Sequence, residues 1–177
     1  MSYKKCVYFV EGPCERQLID ALNKQQPYRL IPGRVYVHNL IQDLIPIYVI
    51  NAIKPGTLVV FVFDTDVEKT DVLQKNIQHV KDYVAQVKVI NAAQVLNFED
   101  EIIRATDVKK AQELTKSTSV RDFKTAFCKM KADDCRNSLE RHHLDVTKLW
   151  VTKPPESFSF IMRSMRCKAE TVGTVLL

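Results

Sequence analysis

Two carboxylates follow directly after the most apolar stretch of the chain. Residues 59–63 read Val-Val-Phe-Val-Phe, and Asp64 and Asp66 come immediately after them. A continuous apolar run of this kind is typical of a strand that is buried on both faces of a parallel sheet. Residues two apart on an extended chain point to the same side, so Asp64 and Asp66 are expected to lie together at the carboxyl end of that strand.

The expected position of this pair indicates a ligand site, because open α/β sheets bind ligands at the carboxyl ends of their strands. Two close carboxylates repel each other unless a cation lies between them, and the pair therefore favours a metal site. The simpler interpretation is that Asp64 caps a turn and Asp66 is solvated.

A further carboxylate, Glu11, follows the first predicted strand at residues 5–10. Gly12 permits a tight turn there, and Pro13 suits the first turn of the helix that is predicted over residues 15–24. Glu11 is therefore also expected at the carboxyl end of a strand, on the same edge of the sheet as Asp64.

The elements that would position these acids alternate along the first hundred residues, which predicts an α/β fold with a parallel four-stranded sheet flanked by helices. Beyond residue 98 the pattern changes to helices only, with a helix predicted over Phe98–Ala105. We expect residues 1–105 to form the core and residues 106–177 a basic, mainly helical extension packed on it. The predicted strands lie at residues 5–10, 35–38, 59–63 and 87–90, and the other helices at 40–53, from about 70, 108–116, 120–131 and 133–142.

The chain carries three short motifs in this order: Val10-Glu11-Gly12, Phe63-Asp64-Thr65-Asp66 and Leu96-Asn97-Phe98-Glu99. Together they resemble the Toprim family, and within it the RloB-like and OLD-like nucleases of bacterial anti-phage defence. The resemblance covers roughly residues 5–105. It implies a Toprim-like variant of the Rossmann-like fold and Mg²⁺-dependent or Mn²⁺-dependent cleavage of phosphodiester bonds in DNA or RNA.

The resemblance also implies roles for four residues. Glu11, Asp64 and Asp66 would hold the metal, with Glu11 acting either as a ligand or as a general acid or base. Glu99 would be an auxiliary catalytic residue, although an acid in the first turn of a helix is also stabilised by the helix dipole alone. The implied partners are a nucleic acid and, beside it, a larger ATPase or another defence protein.

The net charge of +5 is unevenly distributed, because residues 1–100 hold 11 basic and 11 acidic residues whereas residues 101–177 hold 15 and 10. A basic segment beside an acidic site favours a polyanionic partner. The candidate nucleic-acid contacts are Lys153, Arg163, Arg166 and Lys168, with Phe158 and Phe160 between them as candidates for base stacking. The alternative is a core of aromatic residues under a solvated basic surface.

The apolar runs and the cysteines indicate the kind of protein and its expected location. No apolar run approaches the length of a membrane span and the first residues lack a signal-peptide core, so no membrane contact is expected. Five cysteines without Cys-x-x-Cys spacing favour free thiols and a cytoplasmic location. Cys14, beside the predicted site, is either a redox-sensitive thiol or a small buried side chain.

Two other functions remain open at this point. One is a non-catalytic Toprim-like module that binds nucleic acid or a partner protein. The other is a doubly wound protein that binds a small phosphorylated ligand. Metal-dependent cleavage of a polynucleotide would separate the nuclease from both, and salt-dependent binding without cleavage would favour the binding module.

Overall fold

The computed structural model describes residues 6–23 and 30–164, with side chains described up to Ile161. Four strands form a single sheet in the order β2-β1-β3-β4, and every neighbouring pair is parallel. The predicted α/β class with a four-stranded parallel sheet is therefore confirmed. The strands are β1 (Cys6–Val10), β2 (Gly33–Val37), β3 (Leu58–Asp64) and β4 (Lys88–Gln94).

Helices cover both faces of the sheet and continue to the end of the described residues. A helical C-terminal portion follows the sheet, as predicted. Within residues 6–23 and 30–164, no helix is both long and apolar enough to cross a membrane. The α-helices are α1 (Pro13–Leu22), α2 (Ile47–Asn51), α3 (Asp71–Tyr83), α4 (Phe98–Ala105), α5 (Val120–Lys129), α6 (Ala132–Arg141) and α7 (Ser159–Ser164), and short 3₁₀ helices lie at Ala111–Thr115, Val146–Lys148 and Glu156–Phe158.

The core has two layers, one on each face of the sheet. On one face, α1, α4, α5 and α6 pack against the side chains of alternate strand residues such as Val60 and Val62. On the other face, α2, α3 and the region around Phe158 pack against Phe61 and Phe63. Strand β3 is buried on both sides because its side chains alternate between these layers, as its unbroken apolar sequence predicts.

Strand register brings the predicted carboxylates to one edge of the sheet. Val10, the last residue of β1, is paired with Val62 of β3, so Glu11 follows at the level where β3 ends. Asp64 is paired directly with Gln94, the last residue of β4. Paired residues on adjacent parallel strands point to the same face, so Asp64 and Gln94 both face the layer of α1, α4 and α5.

The connection between β2 and β3 differs from the prediction, because the helix expected over residues 40–53 is reduced to the single turn of α2. Pro46 precedes that turn, and proline cannot donate the backbone hydrogen bond that a longer helix needs. The chain before it is held by Asn76 of α3, which accepts from the N–H of Ile45 and donates to the carbonyls of Leu40 and Asp43. This buried amide takes the place of helical hydrogen bonds.

The bounds of two further elements differ from the prediction. Strand β4 is longer than the expected residues 87–90, because Asn91 and Gln94 continue it with polar side chains that the apolar pattern does not include. The helix expected over residues 108–116 is only a 3₁₀ turn at Ala111–Thr115. The predicted α4 has the observed bounds, since Asn97 caps it by accepting from the N–H of Asp100 at 3.1 Å.

Candidate functional site

Thr65 holds the carboxyl end of β3 against the end of β4. Its N–H donates to the carbonyls of Gln94 and Leu96, both at 3.1 Å, and its hydroxyl accepts from the N–H of Leu96 at 3.0 Å. Thr65 is buried, so the two aspartates that flank it lie in different surroundings: Asp64 is half-buried and Asp66 is exposed. The two aspartates therefore differ in burial, although the sequence predicts the same role for both.

Glu11 and Asp64 come together at this edge. The backbone N–H of Asp64 donates to Glu11 Oε2 at 3.2 Å, across a separation of 53 residues in sequence. The other carboxylate oxygen, Glu11 Oε1, is buried and has no well-formed hydrogen bond among the residues that the structure describes, although the backbone N–H of Ile41 acts to lower the pKa of Glu11. A buried oxygen with so few donors is costly, so this atom is available to a proton or a cation.

A second glutamate, Glu15, lies in the first turn of α1 and is only 5% exposed. In the amide orientation that satisfies its surroundings, Gln94 Nε2 donates to Glu15 Oε1 at 3.2 Å and to Asp64 Oδ1 at 2.9 Å. Gln94 therefore bridges two carboxylates that would otherwise only repel each other. Gly12 leaves room for this side chain, because a Cβ at Gly12 would lie 2.9 Å from Glu15 Oε2.

Glu99 approaches the same cluster from α4. Phe98 is buried between the sheet and α5, with its ring 5.4 Å from that of Phe127, and Glu99 follows it at the start of the helix. Lys124 of α5 forms an ion pair with Glu99, with 2.9 Å between Nζ and Oε1. The lysine side chain is 52% exposed and that of Glu99 is 13% exposed, so the ammonium group stands at the border between the cluster and solvent.

Burial is the main cause of the raised pKa values at this site. Burial raises the pKa of Asp64 to about 8, and the charges of Glu15, Glu11, Asp66 and Glu99 raise it further. Burial also raises the pKa of Glu11 to about 7, although the N–H of Asp64 opposes this effect. Without a cation, Asp64 is therefore mostly protonated at neutral pH, and Glu11 is protonated about half of the time.

Glu15 and Lys124 also have shifted pKa values. Burial, and then the charge of Glu99, raise the pKa of Glu15, whereas Lys124 opposes this rise. Burial acts to lower the pKa of Lys124, but the hydrogen bond and charge of Glu99 outweigh it and raise that pKa. Lys124 is therefore positively charged and offsets part of the carboxylate charge.

The donor chemistry of this cluster fits a hard divalent cation. Carboxylate oxygens are the ligands that Mg²⁺ and Mn²⁺ prefer, and Glu11 Oε1 is a buried oxygen without a well-formed hydrogen bond among the described residues. Within residues 6–23 and 30–161, however, no three carboxylate, imidazole or thiol groups stand ready to ligate one ion. Side-chain rotation would therefore have to accompany metal binding. Glu11, Asp64 and Asp66 are the residues that would hold the cation.

Of the four predicted nucleic-acid contacts, the structure describes the side chain of Lys153 only. Lys153 is exposed in the loop after Trp150. Arg166 and Lys168 lie outside the described residues, as does the side chain of Arg163. Phe158 is fully buried and stacks on Phe63 with 5.9 Å between ring centroids, so it belongs to the core and is not exposed for base stacking.

Three residues of the cluster were not predicted from sequence. Glu15 had a local signal, since a helix that begins at Pro13 directs its first turn toward the sheet edge that carries Glu11. Gln94 could have been found only by extending β4 beyond its apolar residues. Lys124 had no local signal, because it reaches Glu99 only through the packing of Phe123 and Phe127 against Phe98.

The fold and this site together define an α/β protein with a carboxylate cluster and one lysine at the carboxyl edge of a parallel sheet. No protein-family model, curated protein or solved structure matches the chain.

Proposed function

We propose that this protein is a Mg²⁺-dependent or Mn²⁺-dependent nuclease that cleaves phosphodiester bonds in DNA or RNA, with a role in bacterial anti-phage defence. The observation that carries the proposal is the meeting of Glu11, Asp64, Glu15 and Glu99 beside Lys124 at the carboxyl edge of the sheet. Parallel α/β sheets bind their ligands at this edge. A cytoplasmic location and a partner ATPase or other defence protein belong to the same proposal.

The acidic residues supply ligands and proton transfer. A divalent cation held by Glu11, Asp64 and Asp66 would stabilise the negative charge that develops on a phosphate during cleavage. Glu11 Oε1 is the atom that can take or give a proton, because it is buried and free of well-formed hydrogen bonds from the described residues. Gln94 keeps the carboxylate of Asp64 turned toward Glu15 through its two hydrogen bonds.

Lys124 supplies the positive charge that a polyanionic substrate needs. It is half exposed while it touches Glu99, so a phosphate that enters the edge from solvent can contact Nζ directly. Its place in the basic part of the chain, at residues 101–177, agrees with recognition of a nucleic acid by charge. Glu99 orients the lysine and is the auxiliary acidic residue of the site.

One observation favours the second candidate, a Toprim-like module that binds nucleic acid or a partner protein without cleaving. The described carboxylates do not form a ready group of three ligands, and Lys124 already neutralises Glu99. In such a module the lysine would bind phosphate and the acids would serve only to exclude incorrect partners. This candidate predicts salt-dependent binding that EDTA leaves unchanged.

The experiment that tests the proposal incubates the full chain with plasmid DNA, single-stranded DNA and tRNA in Mg²⁺, Mn²⁺ or EDTA. A nuclease should cleave at least one of these with Mg²⁺ or Mn²⁺ and none with EDTA. If the protein binds nucleic acid with Mg²⁺, with Mn²⁺ and with EDTA but cleaves it under none of these conditions, it is the non-catalytic module. Absence of both binding and cleavage would contradict both candidates.

Glu99→Gln sharpens the test, because glutamine is nearly isosteric and keeps the fold. If Glu99 orients Lys124 and assists proton transfer, cleavage should fall about a hundredfold. Asp100→Asn is the matched control, since it removes the same charge from the same first turn of α4 without touching Lys124. Both variants should lose about 0.3–1 kcal/mol of helix-dipole stabilisation, so equal cleavage rates for the two would remove Glu99 from the site.

A further inference from the structure

Two cysteines meet beside the carboxylate cluster from opposite parts of the chain. Cys14 lies in the first turn of α1, and Cys128 lies in the last turn of α5, 114 residues later. Their Sγ atoms are 2.9 Å apart, and the Cys14 thiol also lies 3.8 Å from the carbonyl oxygen of Lys124. Both cysteines are free thiols in this structure.

The two cysteines differ in solvent exposure, and this difference determines which thiol an oxidant meets first. Cys128 is partly exposed, whereas Cys14 is buried with 6% of its surface accessible. Cys128 is only partly buried against the core, so a small oxidant should reach it before it reaches Cys14, which is buried and already in contact with the Cys128 sulfur. This is the arrangement of an exposed thiol with a resolving thiol beside it.

We propose that Cys14 and Cys128 form a reversible disulfide when the protein meets a peroxide. Hydrogen peroxide first converts the Cys128 thiol to a sulfenic acid and releases one water. The Cys14 sulfur then attacks the Cys128 sulfur, and the displaced hydroxide leaves as a second water with the Cys14 proton. The two thiols lose two protons and two electrons in total, which is two hydrogen atoms, and the peroxide is reduced to two molecules of water.

The disulfide would join the helix that carries Glu15 to the helix that carries Lys124. Lys124 lies one turn before Cys128 on α5, so the new bond would hold this helix against α1. It would also link residue 14 of the predicted core to residue 128 of the predicted extension, and so close a loop of more than a hundred residues. A cross-link over so long a loop removes much of the entropy of the unfolded chain.

The test treats the purified full chain with hydrogen peroxide, quenches it, and maps disulfide-linked peptides by mass spectrometry without reduction. We expect one major linked pair that contains Cys14 and Cys128, with the loss of two hydrogen atoms from the intact mass. The melting temperature should rise by roughly 5–15 °C and return to its starting value after dithiothreitol. Failure of peroxide to produce this linked pair would overturn the proposal.

Single substitutions provide the controls. Cys128→Ser is the safer variant, because this side chain is partly exposed, and it should abolish both the linked pair and the rise in melting temperature. Cys14→Ala should do the same, whereas Cys135→Ala should leave both intact, although Cys135 on α6 is close enough to Cys128 for the two thiols to interact electrostatically. A link from Cys128 to Cys135, or only intermolecular links through Cys167, would contradict the assignment. These readouts do not depend on nuclease activity.

Discussion

At the scale of single residues, this site is defined by burial acting on carboxylates. Asp64 and Glu11 are neighbours, since a hydrogen bond joins the Asp64 backbone to the Glu11 side chain. Their pKa values of about 8 and about 7 mean that they lose protons as the pH rises through the neutral range. Proton loss in the unfolded chain happens near pH 4, so folding favours the protonated forms.

The sign of the resulting pH dependence follows from linkage. A carboxyl group with a raised pKa in the folded protein adds stability at low pH, and this contribution is lost as the pH rises through the folded-state pKa. Without metal, the protein should therefore be more stable at about pH 6 than at about pH 9. A bound divalent cation should remove much of this difference, because it stabilises the charged forms.

The substitution Asp64→Asn tests this description at a single position. The variant should melt at a higher temperature than the unmodified protein already at about pH 6, because the folded protein keeps the Asp64 carboxyl protonated at a pH where the unfolded chain has lost that proton. Without metal this advantage should be larger at about pH 9 than at about pH 6 by at least about 2–4 °C, which corresponds to about 1 kcal/mol, because the buried carboxylate is then charged. Differential scanning calorimetry at both pH values, with and without Mg²⁺, measures these effects.

Asp82→Asn is the matched control for this experiment, since it removes an exposed aspartate on α3. Its effect on the melting temperature should be the same at both pH values. Mg²⁺ should raise the melting temperature of the control at about pH 9 but have little effect on Asp64→Asn. A gain in stability for Asp64→Asn that is equal at the two pH values would contradict the raised pKa of Asp64.

At the scale of elements, α4 links the sheet edge to the C-terminal portion through Glu101. This carboxylate is fully buried, accepts from the backbone N–H of Trp150, and pairs with Arg104 at 2.6 Å. Arg104 in turn donates to the carbonyl of Val95 at 2.8 Å, in the loop that precedes α4. The same short helix therefore presents Glu99 to the site and holds Trp150, which lies within the helical extension.

Replacement of this buried acid should be costly. Glu101→Ala leaves the Trp150 N–H and the Arg104 guanidinium without their partner, and breaking a buried ion pair from one side costs about 3–5 kcal/mol. Urea unfolding monitored by tryptophan fluorescence reports on this directly, because Trp150 is the single tryptophan of the chain. The expected result is a lower midpoint with a similar slope.

Glu140→Ala provides the comparison, since Glu140 also pairs with an arginine but is exposed. Its carboxylate lies 3.7 Å from Arg136 on the surface of α6. Exposed pairs of this kind contribute up to about 1 kcal/mol, so this variant should unfold at nearly the same urea concentration as the unmodified protein. If both variants lowered the urea midpoint by similar amounts, the contact of Glu101 with Trp150 and Arg104 would not be important for stability.

At the scale of the whole molecule, the basic excess lies in the part of the chain that follows the sheet. α5, which belongs to that part, covers the face of the sheet toward which Asp64 points. The basic side chains of residues 101–177 thus include at least one, Lys124, at the acidic edge itself. A long anion bound there would contact both the cluster and its basic surroundings.

Neutralising Arg163, Arg166 and Lys168 together with glutamine tests whether the basic excess binds nucleic acid. Binding should weaken for every sequence, and the dependence of log affinity on log salt concentration should flatten by up to about three units. Fluorescence anisotropy with labelled DNA and RNA over a range of salt concentrations gives both quantities. Each lost phosphate contact accounts for about one unit of slope.

The control for this experiment replaces Lys54, which is exposed before the amino end of β3, and Lys75 and Lys81, which are exposed on α3. Helix α3 covers the opposite face of the sheet, so these substitutions change the net charge equally without altering the surroundings of the acidic edge. Binding that is unchanged in the first variant, or weakened equally in both, would mean that the basic excess serves solubility or only raises the general positive potential.

The features that the sequence alone determined are those that depend on neighbours in the chain. The unbroken apolar run before Asp64 implied a strand buried on both faces, and alternation of strands with helices implied a parallel sheet. The bounds of α4 were also predicted from the local pattern, and the structure shows that its start is fixed by a local hydrogen bond to Asn97. The placement of Glu11 and Asp64 at strand ends required nothing beyond these local patterns.

Only the tertiary structure decided which other groups join these two carboxylates. Lys124 meets Glu99 because aromatic packing fixes the position of α5, and Gln94 meets Asp64 because of the β3–β4 register. The shortened α2 has the same origin, since Asn76 satisfies backbone groups that a local pattern assigns to a helix. Such contacts join residues about 25 to 110 positions apart, and their free energy comes from burial and register that no short segment of sequence contains.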